Sequence, residues 1–332
     1  MIAGADLAEW LADTARHKVS LATTNEFTRF LARYPLLLDL RRQVEELEVK
    51  SAANVQAVAE RFLERTEEIG TLLETVIRAS AQDPFFRPPL QQSTSEVSAG
   101  LALFDEPDLW VAVGITRVDA IAAWKIAKSG PASISFTGFV SILKFIKAGG
   151  ATLSFWEAPE AGGDFGAERS GRCRFLGRRA IEDGEVLVMD GRRQSFVVEH
   201  ATSDIVHVQA QVRVEAAPLA VEYDSDTLEF VAASSTDEAS SRTQMMITLL
   251  RMMDRTDAAP LIEKALASPH FYTRWYVMRE YLALDAEAAL PSLRRMAAGD
   301  PHPEVRAAAQ QVLQSFFAND AEPEREMIQC RA

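Results

Sequence analysis

The spacing of apolar side chains changes twice along this chain. Up to residue 81 it is helical. Leu7, Trp10 and Leu11 share a side of a short amphipathic helix over Ala5–Arg16, and Glu26–Leu31 extends the pattern to Pro35. Leu37, Leu40, Val44 and Leu47 then follow at intervals of 3, 4 and 3, a narrow seam of the kind that coiled coils use. Val55, Val58, Phe62, Ile69, Leu72 and Val76 make a second seam, with a polar gap at Arg65-Thr66. The register slips near Lys50-Ser51, as a stutter in one long helix or a turn between two would make it do. Two readings stay open: a helical hairpin packed on the rest of the chain, or a coiled-coil arm forming a homodimer through residues 37–76. Asp83-Pro-Phe-Phe-Arg-Pro-Pro-Leu90 cannot continue a helix and reads as a linker that Phe85 and Phe86 pin down.

From about Val97 the period falls to that of strands. Strands are predicted at Val97–Phe104, Leu109–Ile115, Ser133–Thr137, Val140–Ile146, Ala151–Trp156, Arg172–Leu176, Glu185–Met189, Ser195–His200, Ile205–Val214, Ala220–Tyr223 and Thr227–Val231, with one helix at Val118–Ala127. Many short strands with turn signals at close spacing indicate a sandwich or closed barrel. On Ile205–Val214, strand parity puts His207, Gln209, Gln211 and Arg213 on one face and Val206, Val208, Ala210, Val212 and Val214 on the other. The second face is core. The first is solvent or a wet barrel interior.

Helical spacing returns at Ser240–Phe317, now with a repeat. Pro260 answers to Pro291, Pro269-His270 to Pro301-His302, and Arg274 to Arg306, at offsets of 31, 32 and 32 residues. Each unit reads as two helices, Ala259–Ala267 with Tyr272–Leu284 and Ala288–Ala297 with Glu304–Phe316, behind a leading helix at Arg242–Met253. Asp300-Pro-His-Pro-Glu-Val-Arg306 resembles the inter-helix turn of HEAT-type repeats. About two and a half units fall short of the three that a stacked array normally needs, so the array is expected to lean on its neighbour.

Gly184-Glu-Val-Leu-Val-Met-Asp-Gly-Arg-Arg-Gln-Ser-Phe196 resembles the second conserved motif of the cupin family: a Gly-acidic pair, an apolar strand, a tight turn, then a metal-ligand position and an aromatic. Lys147–Trp156 is similar to an early cupin strand, and the resemblance spans Ile134–Val214. It implies a jelly roll. The chain departs from the family at the metal: Gln194 stands at the histidine position, and Ser154–Phe175 holds no His-x-His with a following Glu. The fold expected is therefore α+β and multidomain: a helical N-terminal region (1–82), a central antiparallel β jelly roll (91–236), a C-terminal HEAT-like α-solenoid (239–318) and a loose tail (319–332).

Composition narrows the function. A net charge of −13 argues against a broad nucleic-acid footprint. No run approaches the apolar length of a membrane span, and residues 1–10 lack the basic start of a signal peptide. Cys173 and Cys330 lie too far apart for a disulfide framework, so a cytoplasmic location is expected. No P-loop, Rossmann fingerprint, nucleophile elbow or His-Glu-x-x-His motif is present.

Three groups of residues carry possible chemistry. His200 and His207 flank Ala201–Asp204 and would approach one another across a hairpin, but Glu199 points opposite to His200, so no metal site is assigned and no cofactor is expected. Arg172, Arg174, Arg178, Arg179, Arg192 and Arg193 could hold an anion, or be paired with nearby Glu182, Asp183, Glu185 and Asp190, which is the favoured reading. Tyr272, Trp275, Tyr276 and Tyr281 crowd one helix, with Arg274, Arg279 and Glu280 between them. The candidate ligand-binding residues are His207, Gln209, Gln211, Arg213, Gln194, Arg178 and Arg192. The candidate partner-binding residues are Arg274, Trp275 and Arg279. The expectation is a non-catalytic binding or assembly protein engaging a protein, peptide or small anionic ligand. The alternative is an enzyme acting on a small molecule or peptide inside the barrel, with a metal-dependent version left open.

Overall fold

The computed structural model describes residues 11–83, 85–127, 133–162, 165, 166 and 170–317, apart from the side chains of 122 and 124–127. The expected start of the first helix, Leu7 and Trp10, the side chain of Trp124, the tail and Cys330 lie outside the described residues. The chain divides into two compact units, one of Met1–Glu160, Arg172–Ala217 and Val221–Val231, the other of Ala161–Gly171, Pro218–Ala220 and Ala232–Ala332.

The first unit begins with four helices: α1 (Thr14–Leu31), α2 (Pro35–Glu45), α3 (Ala52–Glu64) and α4 (Thr66–Gln82). Asp13 caps α1 by accepting from the N–H groups of Ala15 and Arg16. The register slip is a turn: Ser51 caps α3, accepting from Asn54 N–H at 3.2 Å. The polar gap at Arg65 is a second break, where the guanidinium pairs with Asp39 and Glu68. In the linker, Phe86 is buried edge-on against Phe27 with ring centroids 5.3 Å apart.

Twelve strands follow among the described residues: β1 (Gln92–Thr94), β2 (Ser98–Asp105), β3 (Leu109–Thr116), β4 (Ser133–Phe136), β5 (Val140–Lys147), β6 (Thr152–Glu157), β7 (Arg174–Ala180), β8 (Val186–Asp190), β9 (Gln194–His200), β10 (Ile205–Val212), β11 (Leu219–Asp224) and β12 (Phe230–Ser235). Helix α5 (Val118–Ala127) interrupts them. One sheet runs β1-β2-β3-β10-β5-β8, a second β7-β6-β9 and a third β12-β11-β4. Strand β4 approaches β9, where Ser195 Oγ donates to Ser135 O at 2.5 Å. The order β3-β10-β5-β8 facing β4-β9-β6-β7 is that of an eight-stranded jelly roll, with antiparallel pairing throughout.

The N-terminal helices do not stand apart from this barrel. Leu37, Leu40 and Val44 of the first seam and Val55, Val58, Phe62, Ile69 and Leu72 of the second share a core with Leu109, Val111, Ile142, Val208, Ala210 and Val212. Glu215 accepts from Ala52 N–H at 3.1 Å, and Lys50 meets Asp108 at 2.6 Å. This corrects the coiled-coil reading: the seams through 37–76 are spent on the chain's own sheet, and a homodimer cannot use them without uncovering that core. For the same reason the helices between Leu36 and Leu72 share a core with the jelly roll.

The second unit carries α6 (Glu238–Met252), a 3-10 turn (Thr256–Ala258), α7 (Ala259–Ala265), α8 (Phe271–Leu284), α9 (Ala286–Gly299) and α10 (Pro303–Phe316). The 32-residue repeat recurs in its hydrogen bonds. Arg274 Nη1 donates to Ser268 O and Pro269 O, and Arg306 Nη1 donates to Asp300 O and Pro301 O. No described helix is long and apolar enough to cross a membrane.

Candidate functional site

Strand β10 decides what the barrel holds. Its apolar face, Val208, Ala210 and Val212, lies under the N-terminal helices. With that face taken, parity turns His207 and Gln209 into the barrel, where they line a cavity of about 400 Å3. That volume is in the lower part of the range small-molecule sites occupy. The same alternation works on β3, where Leu109 and Val111 face the helices and Trp110, Ala112, Gly114 and Thr116 face the cavity. It works again on β5, where Ile142 faces out and Ser141, Leu143 and Phe145 face in.

Among the described residues the lining is mixed and holds no Asp, Glu, Lys or Arg. Apolar area comes from Trp110, Leu143, Phe145 and Phe196, and polar contacts from Ser, Thr and Gln side chains around His207. Gly114 is required by the imidazole. A Cβ there would lie 2.8 Å from both Cε1 and Nε2 of His207. Burial holds the His207 pKa below the usual histidine value, so the ring is neutral at pH 7 and offers one donor and one acceptor. Neither His207 nor Gln209 has a hydrogen-bonding partner among the described residues, and the buried Ser141 Oγ has none either. Buried polar groups in folded proteins are nearly always satisfied, so these are places for a ligand or water to bond.

The other expected residues are elsewhere. Gln194 lines the cavity, but its Oε1 accepts from Asp190 N–H at 3.3 Å. Gln211 shares the strand face of Gln209 without lining the cavity. Arg213 lies beyond the end of β10 and donates to Asp105 at 2.7 Å. Arg178 pairs with Glu199 at 3.2 Å and Arg192 with Asp190 at 2.7 Å. That hydrogen bond from Arg192 holds the Asp190 carboxyl below its ordinary range. Arg172, Arg174, Arg179 and Arg193 pair with Glu229, Glu157, Glu185 and Glu160. None of the six arginines lines the cavity. Ser141, Trp110 and Gly114 were not singled out in the sequence, although the parity that found His207 places them too.

His200 and His207 do not converge. Strand β9 pairs with β6 in one sheet and β10 with β3 and β5 in the other, which leaves His200 exposed at the end of its strand. Among the described residues no three His, Cys, Asp or Glu side chains are grouped to hold a metal ion. Among the described residues the donor set that the cupin resemblance implies is missing: those lining the cavity with His207 are serine, threonine, glutamine and apolar residues. The residues do not fit an ion there.

In the helical unit Arg274 is 8% exposed and grips Asp300 with two hydrogen bonds, 2.8 Å from Nε and 2.7 Å from Nη2. Burial pushes the Asp300 pKa up, but the bonds from Arg274 and from His302 N–H outweigh it and leave the carboxyl below its ordinary value. Arg274 therefore fastens the repeat and is not free for a partner. Trp275 packs into the core with Met278 and Leu293, and Arg279 is exposed. A larger apolar surface lies on α6, where Met245, Met246, Leu249 and Met252 are exposed.

The strand order is that of a jelly roll, and HEAT-like helical repeats follow it in the chain. A family model described as HEAT repeats matches residues 228–314. Comparison with curated proteins gives no match. Among solved structures, the chain is similar to ectoine synthase from P. lautus (12% identity over 37% of this chain and 69% of that one, TM-score 0.22). It is similar as well to the Cnp3 cupin domain of Schizosaccharomyces pombe (6%, 36% of this chain and 64% of that one, 0.22) and to a cupin domain from Bordetella pertussis Tohama I (7%, 36% and 97%, 0.21). The match thus spans just under two thirds of the Cnp3 domain.

Proposed function

We propose that this chain is a non-catalytic binding protein whose jelly roll encloses a small, uncharged, partly apolar molecule. The observation that carries the reading is the cavity: about 400 Å3, without an Asp, Glu, Lys or Arg among the described residues that line it, with the neutral His207 ring lying over Gly114. A charged ligand would leave water without a counter-charge, a cost of several kcal/mol in a buried site. The anionic ligand expected from the sequence therefore loses its support inside the cavity, because none of the six arginines lines it. The exposed methionine face of α6 supports a protein partner for the helical repeats, since flexible thioethers adapt to varied apolar surfaces. The buried, unbridged Cys173 suits a reducing compartment, and the cytoplasm is the proposed location.

The test is native mass spectrometry of the purified chain beside Gly114→Val, which fills the cavity and pushes the His207 ring. A bound small molecule, lost in the variant while the fold is kept, is the expected outcome. Chemical turnover of that molecule, abolished by His207→Ala, would replace binding with catalysis.

A further inference from the structure

We propose that the open side of the jelly roll, between the edge strands β7 and β8, is a docking groove for an extended acidic-apolar segment of a partner protein, held by strand addition. Among the described residues the sheet orders leave β7 with β6 as its one neighbour and β8 with β5. Each edge presents a row of unpaired backbone groups, which an added strand can satisfy. Edges are usually blunted by charge or proline. Here β8 exposes Val186 and Val188 instead.

A bulge shapes the space between the edges. Phe155 lies opposite Gly177 and Trp156 opposite Phe175, which leaves Leu176 without an opposing residue. Gly177 takes a φ of +137°, which side-chain-bearing residues rarely adopt. Leu176 joins Phe155, Trp156 and Leu187 around a hollow of about 390 Å3. Trp156, which lines this hollow, has an indole Nε1 that is buried without a hydrogen-bond partner.

Charge selects the occupant. Arg178 and Arg179 line the hollow, with Arg179 lying 5.3 Å from the centre of the Phe155 ring. Their ion pairs with Glu199 and Glu185 are partly solvent-exposed, and such pairs contribute little, so an incoming carboxylate can compete for either guanidinium. Alternating apolar and acidic side chains match the alternating faces of an added strand. A second copy joined β7 to β7 would set Arg174, Arg178 and Arg179 against themselves. The groove shares only Met189 and Gln194 with the lining of the barrel cavity, so its failure leaves the cavity reading standing, and the reverse.

The test uses the full chain and a fluorescein-labelled Val-Glu-Val-Glu-Val-Glu-Val peptide, followed by anisotropy. Controls are the same peptide with lysine for glutamate and the same peptide N-methylated at alternate positions. Saturable binding of the acidic peptide is expected, with a loss of about threefold or more for each control and for Arg178→Glu/Arg179→Glu, a change of the size that exposed ion pairs supply. Amide exchange should slow at 174–180 and 186–190 in the peptide complex. Both arginines are exposed, and circular dichroism verifies that the variant is folded. No saturable binding, equal binding of the lysine peptide, unchanged binding to the variant, or protection confined to other strands would each overturn the proposal. So would concentration-dependent self-association abolished by Val188→Lys, which would make a second copy the occupant.

Discussion

His207 shows how a single residue can be placed by its neighbours. Its ring lies over Gly114, where a Cβ would come within 2.8 Å of the ring and push it aside, and burial disfavours its charged form. The sign of the consequence is fixed. Because the folded-state pKa lies below the unfolded value, the contribution to stability is present above about pH 6.5 and is lost as the pH falls through the folded pKa. Thermal melts of wild type and His207→Gln between pH 7.5 and about 5 should diverge, the wild type losing more stability on acidification. Parallel curves would mean that the ring is solvated. Arg274 makes the opposite case, a charge retained in the interior because Asp300 and two carbonyls satisfy it. Arg274→Ala should cost roughly 3–5 kcal/mol in denaturant melts by leaving Asp300 buried and unpaired. A loss below about 1 kcal/mol would place the pair in solvent.

Among the elements, the N-terminal helices show both what the sequence disclosed and what it could not. The breaks at Ser51 and Arg65 stood out as a register slip and a polar gap, because a cap and an unmatched charge interrupt the periodicity. What the seams pack against was not legible. A 3-4 spacing of leucine and valine is the same whether the facing surface is another helix or the Val208, Ala210, Val212 face of a sheet. Leu40→Ala should lower stability by about 2–5 kcal/mol without altering the sedimentation of the chain. A fall in oligomer mass would restore the dimer seam. Strand β10 was legible by parity, but β1 was not, since three exposed residues, Gln92 to Thr94, carry no alternation. The histidine hairpin failed for a topological reason. Successive strands in a jelly roll can belong to opposite sheets, so neighbours in sequence such as β9 and β10 need not pair. The six arginines pair within the chain, yet four of their carboxylate partners, Glu157, Glu160, Glu199 and Glu229, lie outside the group expected, because cross-strand register is set by tertiary pairing.

For the whole molecule, the helices covering one face of the β3-β10-β5 sheet are what make the barrel interior a site. They bury the valine face, and alternation then delivers histidine, glutamine and serine to the inside. The HEAT-like unit repeats its arginine-to-carbonyl clasp in two successive turns, which is the order a stacked array needs. The central claim is that the barrel is occupied by a small uncharged molecule. Native mass spectrometry of the wild-type chain tests it most directly. The account predicts a mass increment from one small neutral molecule that disappears in Gly114→Val. An unliganded wild type that also gains no thermal stability from a panel of small neutral compounds would contradict it.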